Sequence, residues 1–152
     1  AKPAWCIFLK RGADMSTYSL NTTSFYKALD EGKLIGSRCQ DCGYVAVPQR
    51  QICPKCYSDQ MEVIEFSGKG KLAAYTVIFV PPTEMLQAGH DGKNPYCTGI
   101  VELVEGPRVN AQILGVNLLK PSTIKIGTQL QMTTIERGLD HNKHKFLAFQ
   151  VL

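Results

Sequence analysis

Four cysteines in two closely spaced pairs constrain this chain more than any other feature of its sequence. The pairs are Cys39–Cys42 and Cys53–Cys56, and residues 43–52 separate them. Four thiolates at this spacing suit structural zinc, with Zn–S bonds of about 2.3 Å and no position left for water. We therefore predict one stabilising zinc ion held by all four cysteines. Disulfides, redox thiols and iron are the alternatives.

The residues around the pairs favour tight metal-binding turns. Gly43 follows the first pair and permits a backbone turn with positive φ. Pro54 lies inside the second pair and fixes φ there. We expect residues 34–65 to form a rubredoxin-like zinc ribbon, with residues 44–48 as a return strand.

Three basic residues, Arg38, Arg50 and Lys55, lie close to these cysteines in the sequence. A four-thiolate site around a divalent ion carries a net negative charge, so nearby cations stabilise it. Offsetting that charge is the simplest role for the three residues, and binding a substrate is the alternative.

The length and hydropathy of the chain limit the number of domains that it can form. The chain has 152 residues, 44% of them hydrophobic, enough for one ordinary domain or a small module joined to a compact one. The longest apolar stretch, residues 72–80, is too short to span a bilayer.

We expect residues 1–14 to be a leader outside the fold, because Met15 resembles a natural start. Metal-binding thiols persist in a reducing compartment, so we expect a cytoplasmic protein.

The net charge of the chain argues against nucleic acid as a partner. The formal charge is +4, of which residues 1–14 contribute a net +2. Four thiolates around one divalent ion remove a further two charges, so the remaining body is near neutral. Nucleic-acid binders usually carry a basic face, and acidic and basic residues alternate along this chain.

Residues 15–33 are predicted to form an N-terminal helical segment, with a short amphipathic helix over residues 21–32. Gly32 can end this helix, and its cap is expected among three hydroxyl residues: Thr22, Thr23 and Ser24.

Aromatic side chains mark one face of this helix. Phe25 shares that face with Leu29 at a spacing of four residues, and Tyr26 is adjacent to it. The two aromatic residues could pack on the neighbouring module or form an exposed face for a partner, and the sequence leaves both possibilities open.

Residues 66–152 change to a β-rich pattern. Alternation is clearest over 108–114, where Val109, Ala111 and Ile113 oppose polar neighbours. Five strands, with a connection at 118–122 between the third and fourth, predict an OB-type Greek-key barrel. The expected strands are residues 71–80, 96–103, 108–114, 129–136 and 146–152. The predicted fold class is thus mainly β: a short N-terminal helix, a zinc ribbon and a five-stranded OB-fold barrel.

This order of parts resembles the acyl-CoA-associated OB-fold family with an N-terminal rubredoxin-like zinc ribbon. The resemblance covers about residues 21–152, and the combination of parts is more specific than the cysteine turns alone. The matching ribbon segments are residues 25–32 (FYKALDEG), 38–43 (RCQDCG), 48–50 (PQR) and 53–56 (CPKC). The matching barrel segments are residues 68–72 (GKGKL), 75–77 (YTV), 95–96 (PY), 100–103 (IVEL) and 105–106 (EG).

The resemblance implies a non-catalytic accessory subunit. Such proteins bind thiolase-fold enzymes or acyl-CoA hydratases and help shape a coenzyme A site, and archaeal relatives bridge acetoacetyl-CoA thiolase and hydroxymethylglutaryl-CoA synthase. The expected partners are therefore such an enzyme and an acyl-CoA, with neither nucleic acid nor a membrane. The resemblance assigns no coenzyme-contact residue.

No set of nucleophile, base and acid stands out in the sequence. His90, His141 and His144 fall in polar segments, where solvated side chains are commoner than metal ligands. Cys97 lies on a predicted strand and is expected to behave as a small apolar residue.

The rival hypothesis is a nucleic-acid-binding module, because OB grooves can stack bases on aromatic side chains. The available aromatic residues are Tyr75, Phe79, Tyr96, Phe146 and Phe149. Strand parity directs most of them into the core, so we favour the accessory-subunit hypothesis.

Overall fold

The computed structural model describes residues 15–138 and 141–152. The chain divides into two compact units between Ser67 and Gly68. The predicted leader, residues 1–14, lies outside the described residues. The predicted domain boundaries, at residues 34 and 66, stay predictions.

The first unit begins with a 3₁₀ turn at Met15–Thr17 and helix α1 at Thr22–Asp30. The predicted helix is confirmed, but its cap lies one residue before the expected set. Asn21 has extended backbone angles, and its side chain accepts a hydrogen bond of 2.9 Å from the Ser24 N–H. An asparagine amide satisfies that backbone donor as well as a hydroxyl would.

Gly32 ends α1 as predicted. Its φ of +76° lies in the left-handed region, which lets its N–H donate to the Leu29 carbonyl at 2.9 Å. The next N–H, that of Lys33, donates to the Ala28 carbonyl at 2.8 Å. Two carbonyls of the last helical turn are thereby satisfied before the chain enters the first strand.

The two aromatic residues of α1 have different environments. Phe25 is half-buried and packs on a cluster formed by Tyr18, Ala28 and Ile35. Tyr26 is 47% exposed and meets Phe25 edge-to-face at a centroid distance of 5.9 Å. Phe25 therefore stabilises the first unit, and Tyr26 presents its ring to solvent.

A three-stranded antiparallel sheet follows, in the order β2-β1-β3. The third strand is not among the segments predicted above. Its burial pattern departs from strict alternation, with Met61, Ile64 and Phe66 buried, so a period of two does not reveal it. The strands are β1 Leu34–Cys39, β2 Val45–Ala46 and β3 Met61–Phe66.

The second unit is a closed five-stranded barrel in the order β4-β5-β6-β8-β7. All neighbouring strands pair antiparallel except β6 and β8, which are parallel, and β7 pairs with β4 to close the barrel. The predicted OB-type architecture is confirmed. The strands are β4 Lys69–Ile78, β5 Tyr96–Leu103, β6 Arg108–Leu114, β7 Gln129–Arg137 and β8 His144–Val151.

The barrel core follows the predicted alternation. On β6, Val109, Ala111 and Ile113 are buried, and their polar neighbours lie at the surface or half-buried. Phe149 on β8 is fully buried, and Leu72 on β4 is nearly so. Apolar side chains from all five strands therefore fill the interior.

The connection over residues 81–95 contains helix α2 at Thr83–Gln87. Met85 is the buried residue of this short helix. The connection near residues 118–122 contains a 3₁₀ turn at Pro121–Thr123, as the sequence allows. Within the described ranges, no helix is long and apolar enough to cross a membrane.

Gly99 provides a test of the barrel packing. A Cβ at this position would lie 2.6 Å from the Ala74 carbonyl oxygen and 3.0 Å from a Leu72 methyl carbon. We expect G99A to lower the free energy of unfolding by about 1–3 kcal/mol, as other overpacked cores do. The control is G92A, because the nearest atom to its Cβ is 3.6 Å away. That variant should stay within about 0.5 kcal/mol of wild type.

Denaturant unfolding followed by circular dichroism measures both variants. Equal midpoints for G99A and G92A would show that the backbone of β4 does not approach β5 as closely as the structure indicates.

Candidate functional site

The two cysteine pairs lie on turns of the same design. In the first turn the Gly43 N–H donates to the Cys39 carbonyl at 3.0 Å, and in the second the Tyr57 N–H donates to the Cys53 carbonyl at 2.9 Å. The Cys39 N–H donates to the Tyr44 carbonyl at 2.8 Å, and the Cys53 N–H donates to the Ser58 carbonyl at 2.9 Å. These bonds place both cysteines of each pair on the same side of their turn.

Equivalent positions in the two turns carry positive φ angles. Gly43 has φ of +75°, as the sequence predicts, and Tyr57 has φ of +60°. A non-glycine residue in this region carries strain of about 1 kcal/mol or more. Sequence reasoning missed Tyr57, although its place directly after the second pair matches that of Gly43. Its side chain is 81% exposed.

The four sulfur atoms of Cys39, Cys42, Cys53 and Cys56 all lie within 4.8 Å of one another. The Cys39–Cys56 and Cys42–Cys53 sulfurs are 3.6 and 3.5 Å apart. A tetrahedron with Zn–S bonds of about 2.3 Å has edges of about 3.8 Å. The donor set and its spacing fit one tetrahedral metal ion, and all four thiols are free of disulfides.

Burial and hydrogen bonding give the thiols different acidities. Burial opposes ionisation of Cys53, but backbone N–H bonds from Cys56 and Lys55 lower its pKa to about 7. The Ser58 N–H favours ionisation of Cys56, but burial and the neighbouring sulfurs raise its pKa to about 12. Cys53 therefore loses its proton more readily than Cys56, and a bound cation would favour the thiolate form of both.

The basic residues near the site do not all act on the sulfurs. The Arg38 guanidinium bonds the Glu62 carboxylate, with its Nε donating at 2.8 Å, across the β1–β3 pairing. Its charge is therefore balanced by a carboxylate, which corrects the predicted role. Lys55 contributes its backbone N–H to Cys53, and Arg50 donates its N–H to the Ser37 hydroxyl at 2.9 Å.

The other candidate residues stay apart. Among the described residues, the four cysteines form the one group of metal-binding side chains that clusters. His90 lies in a turn stabilised by Asp91, whose carboxylate accepts the Lys93 and Asn94 N–H groups at 2.8 Å. His144 begins β8 instead of lying in the loop before it.

Cys97 behaves as the sequence predicts. It is 1% exposed inside the barrel, and burial raises the pKa of its thiol. A neutral buried thiol is a poor nucleophile, so Cys97 is a packing residue.

A small cleft opens on the barrel. Its volume is about 140 Å³. The connection before β5 contributes His90, Asn94 and Pro95, and the facing wall comes from β5, β6 and the segment after β6. Among the aromatic residues considered for base stacking, Tyr96 lines this cleft, Phe149 is in the core and Phe79 is 42% exposed.

A four-cysteine ribbon followed by an OB barrel defines a class of two-module β proteins. Residues 27–62 match the family model described as "ChsH2, rubredoxin-like zinc ribbon domain". Residues 63–134 match the model described as "ChsH2, C-terminal OB-fold domain". Curated relatives carry the name "DUF35 domain-containing scaffold protein". That of Methanothermobacter thermautotrophicus is 41% identical over 65% of this chain and 69% of the relative. The chain belongs to the DUF35 family.

Alignments with two further relatives also cover only part of each protein. The scaffold protein of Methanocaldococcus jannaschii is 41% identical over 64% of each chain, so this chain spans just under two thirds of that relative. The "Benzoylsuccinyl-CoA thiolase subunit BbsA" of Thauera aromatica is 32% identical over 66% of this chain and 62% of the relative.

Solved structures share the fold. The structure named "Ltp2-ChsH2(DUF35) aldolase" aligns with a TM-score of 0.69 and 24% identity, covering 88% of this chain and 95% of that one. A DUF35 protein of unknown function from Sulfolobus solfataricus aligns with a TM-score of 0.58 and 20% identity, covering 86% and 84%. The fold of this chain thus recurs in other proteins.

The sulfur cluster yields a metal prediction. Purified protein should contain about one equivalent of zinc per chain by elemental analysis, which also distinguishes zinc from iron. C42S should lose the metal and unfold the ribbon, because formation of the site contributes folding free energy directly. C97A is the matched control, since that thiol lies in the barrel away from the cluster, and it should retain the zinc. A C42S variant that keeps a full equivalent would contradict the assignment.

Proposed function

We propose that this chain is a non-catalytic accessory or scaffold subunit that binds an acyl-CoA enzyme. The partner is of the thiolase, hydroxymethylglutaryl-CoA synthase or hydratase type, and the chain helps to form its coenzyme A site or channel. The observation that carries the proposal is the set of names borne by its relatives. Three archaeal relatives at 39–41% identity are named scaffold proteins, and one at 32% is named a thiolase subunit.

The chemistry of the described residues supports a role in assembly. The sulfur cluster uses all four positions of a tetrahedral ion, which leaves none for a substrate. We propose that Cys39, Cys42, Cys53 and Cys56 hold this ion as structural zinc. Reduced thiols at such a site favour a cytoplasmic location.

The physical basis of such a role is the length of coenzyme A. Most of that molecule does not react, yet contacts with its remote parts position the thioester and raise the reaction rate. A second subunit can supply those contacts, or wall off a channel, while the partner performs the chemistry. The barrel cleft is our candidate for the coenzyme side.

Exposed large hydrophobic side chains of the first unit are the candidate docking residues. Tyr26 on α1 is 47% exposed, Tyr57 beside the second cysteine pair is 81% exposed, and Ile52 before that pair is 58% exposed. Tyrosines at the centre of an interface often contribute much of the binding free energy. Phe25 is less suitable for testing docking, because it packs on the cluster around Ile35 and a charged replacement would also destabilise that packing.

We expect co-expression with a thiolase-fold or hydratase enzyme encoded beside this chain to yield one complex by size-exclusion chromatography. The double variant Y26E/Y57E should dissociate the complex and keep its zinc, because charged side chains are depleted in interface cores and both positions are exposed. The matched control is V104E, at a 66% exposed position in the barrel turn after β5, which should leave the complex intact.

The isolated chain should show no turnover of acetyl-CoA, acetoacetyl-CoA or enoyl-CoA substrates. Turnover by the purified chain would contradict the proposal, and so would neighbouring enzymes that neither bind it nor respond to it.

The alternative is a zinc-ribbon and OB-fold protein that binds nucleic acid. Because the body of the chain is near neutral, we expect weak affinity for single-stranded DNA or RNA at physiological salt and a shallow dependence on salt. Filter binding at two salt concentrations measures both quantities. Tight, salt-sensitive binding would favour the nucleic-acid alternative.

A further inference from the structure

The metal site requires its two cysteine turns to be held at a fixed separation. The hydrogen bonds within the turns close the first over residues 39–44 and the second over residues 53–58. Those bonds shape each turn separately and do not fix the distance between the turns. Hydrogen bonds that run from one turn to the other therefore bear on how well the four sulfurs match a tetrahedral ion.

The side chain of Ser58 joins the two turns. Its hydroxyl donates to Oδ2 of Asp41, which lies between the two cysteines of the first pair. The same hydroxyl accepts the Gln60 N–H at 3.0 Å. The Gln60 carbonyl in turn accepts the N–H of Gln40, also in the first turn, at 2.9 Å. One hydroxyl thus supports two connections to the first turn, one direct and one through Gln60.

The backbone of Ser58 is bound to the second cysteine pair. Its N–H bonds the Cys56 sulfur, and its carbonyl accepts the Cys53 N–H at 2.9 Å. A serine hydroxyl can donate one hydrogen bond and accept others, and this half-buried hydroxyl does both. The backbone of Ser58 therefore contacts one pair of ligands, while its side chain reaches the turn that carries the other pair.

Two carboxylates near the second turn make different contacts. Asp41 accepts the Ser58 hydroxyl across the two turns, and a hydrogen bond to a carboxylate is stronger than one between neutral groups. Asp59 accepts the side-chain amide of Gln60, its neighbour in the chain, at 2.7 Å. That second bond does not reach the first turn. Replacing each carboxylate in turn therefore separates the effect of the connection from the effect of a negative charge.

We propose that Ser58 is a positioning residue of the metal site, whose hydroxyl raises the affinity for zinc by holding the first cysteine turn against the second. The inference rests on the proposed assignment of zinc to the four cysteines, and it gives a role to a residue outside the ligand set. Groups that orient metal ligands commonly change metal affinity by about 10- to 100-fold when they are replaced.

The test is competition for zinc between the full chain and a coloured chelator of known affinity at neutral pH. S58A removes the hydroxyl and leaves its backbone bonds, so the zinc affinity should fall about tenfold or more. S58T restores a hydroxyl and should recover most of that loss. Wild-type affinity in S58A would overturn this proposal alone, as would an S58T variant as weak as S58A. A wild-type chain that binds no zinc would overturn the zinc assignment as well.

A double-mutant cycle tests whether the hydroxyl acts through Asp41. D41A should lower the zinc affinity, and D41A/S58A should lower it by less than the product of the two separate effects, because residues in one network are not independent. The matched control is D59A, which removes the same charge and should change the affinity less than about twofold. Equal losses in D41A and D59A would mean that charge alone matters and would overturn the proposal. Independent effects of D41A and S58A would overturn it too.

Cobalt(II) in place of zinc separates positioning from stability, because its absorption spectrum reports the geometry of the ligands. S58A should change this spectrum. The control is I35V, which removes a buried methyl group and destabilises the first unit. Ile35 belongs to the cluster around Tyr18 and not to the one that contains Cys39 and Cys53, so I35V should keep the wild-type spectrum. A wild-type cobalt spectrum in S58A would mean that Ser58 contributes to stability alone, and would overturn the proposal.

Discussion

The convergence of four sulfur atoms is the interaction on which the first unit depends. Among its described residues, one apolar cluster lies around Tyr18 and Ile35, and another includes Cys39 and Cys53 themselves. Small modules rarely bury enough apolar surface to fold on that contribution alone, and a structural metal commonly supplies the rest. Cys39 also ends β1 and pairs with Met61 on β3, so the register of the sheet and the position of a ligand are fixed by the same residue.

Local patterns in the sequence predict a large part of this structure. The spacing of the cysteines and the place of Gly43 predict both turns, because their geometry is set within five residues. Strict alternation over β6 predicts its buried face. These features share one property: the interactions that specify them join residues close together in the chain.

The features that the sequence does not predict arise from contacts between distant residues. Arg38 is balanced by Glu62 on a strand 24 positions away, and Arg137 meets Gln112 25 positions away. Neither the composition of the chain nor the spacing of its residues identifies Glu62 or Gln112 as these partners. The strand β3 is also hard to predict from the sequence. Which of its residues are buried depends on the packing of the ribbon sheet and not on simple alternation. The sequence shows that a residue is charged, but only the folded structure shows which group lies beside it.

Closure of the barrel limits how another protein can recognise each unit. A closed sheet has no edge strand, so no strand from another chain can extend it by backbone hydrogen bonds. Any protein that binds the barrel must therefore do so through contacts with its side chains and loops. Among the described strands, the ribbon sheet ends instead in β2 and β3, whose outer edges could pair with an added strand. Backbone hydrogen bonding tolerates side-chain replacement, so surface substitutions would affect recognition of the barrel more than strand addition to the ribbon.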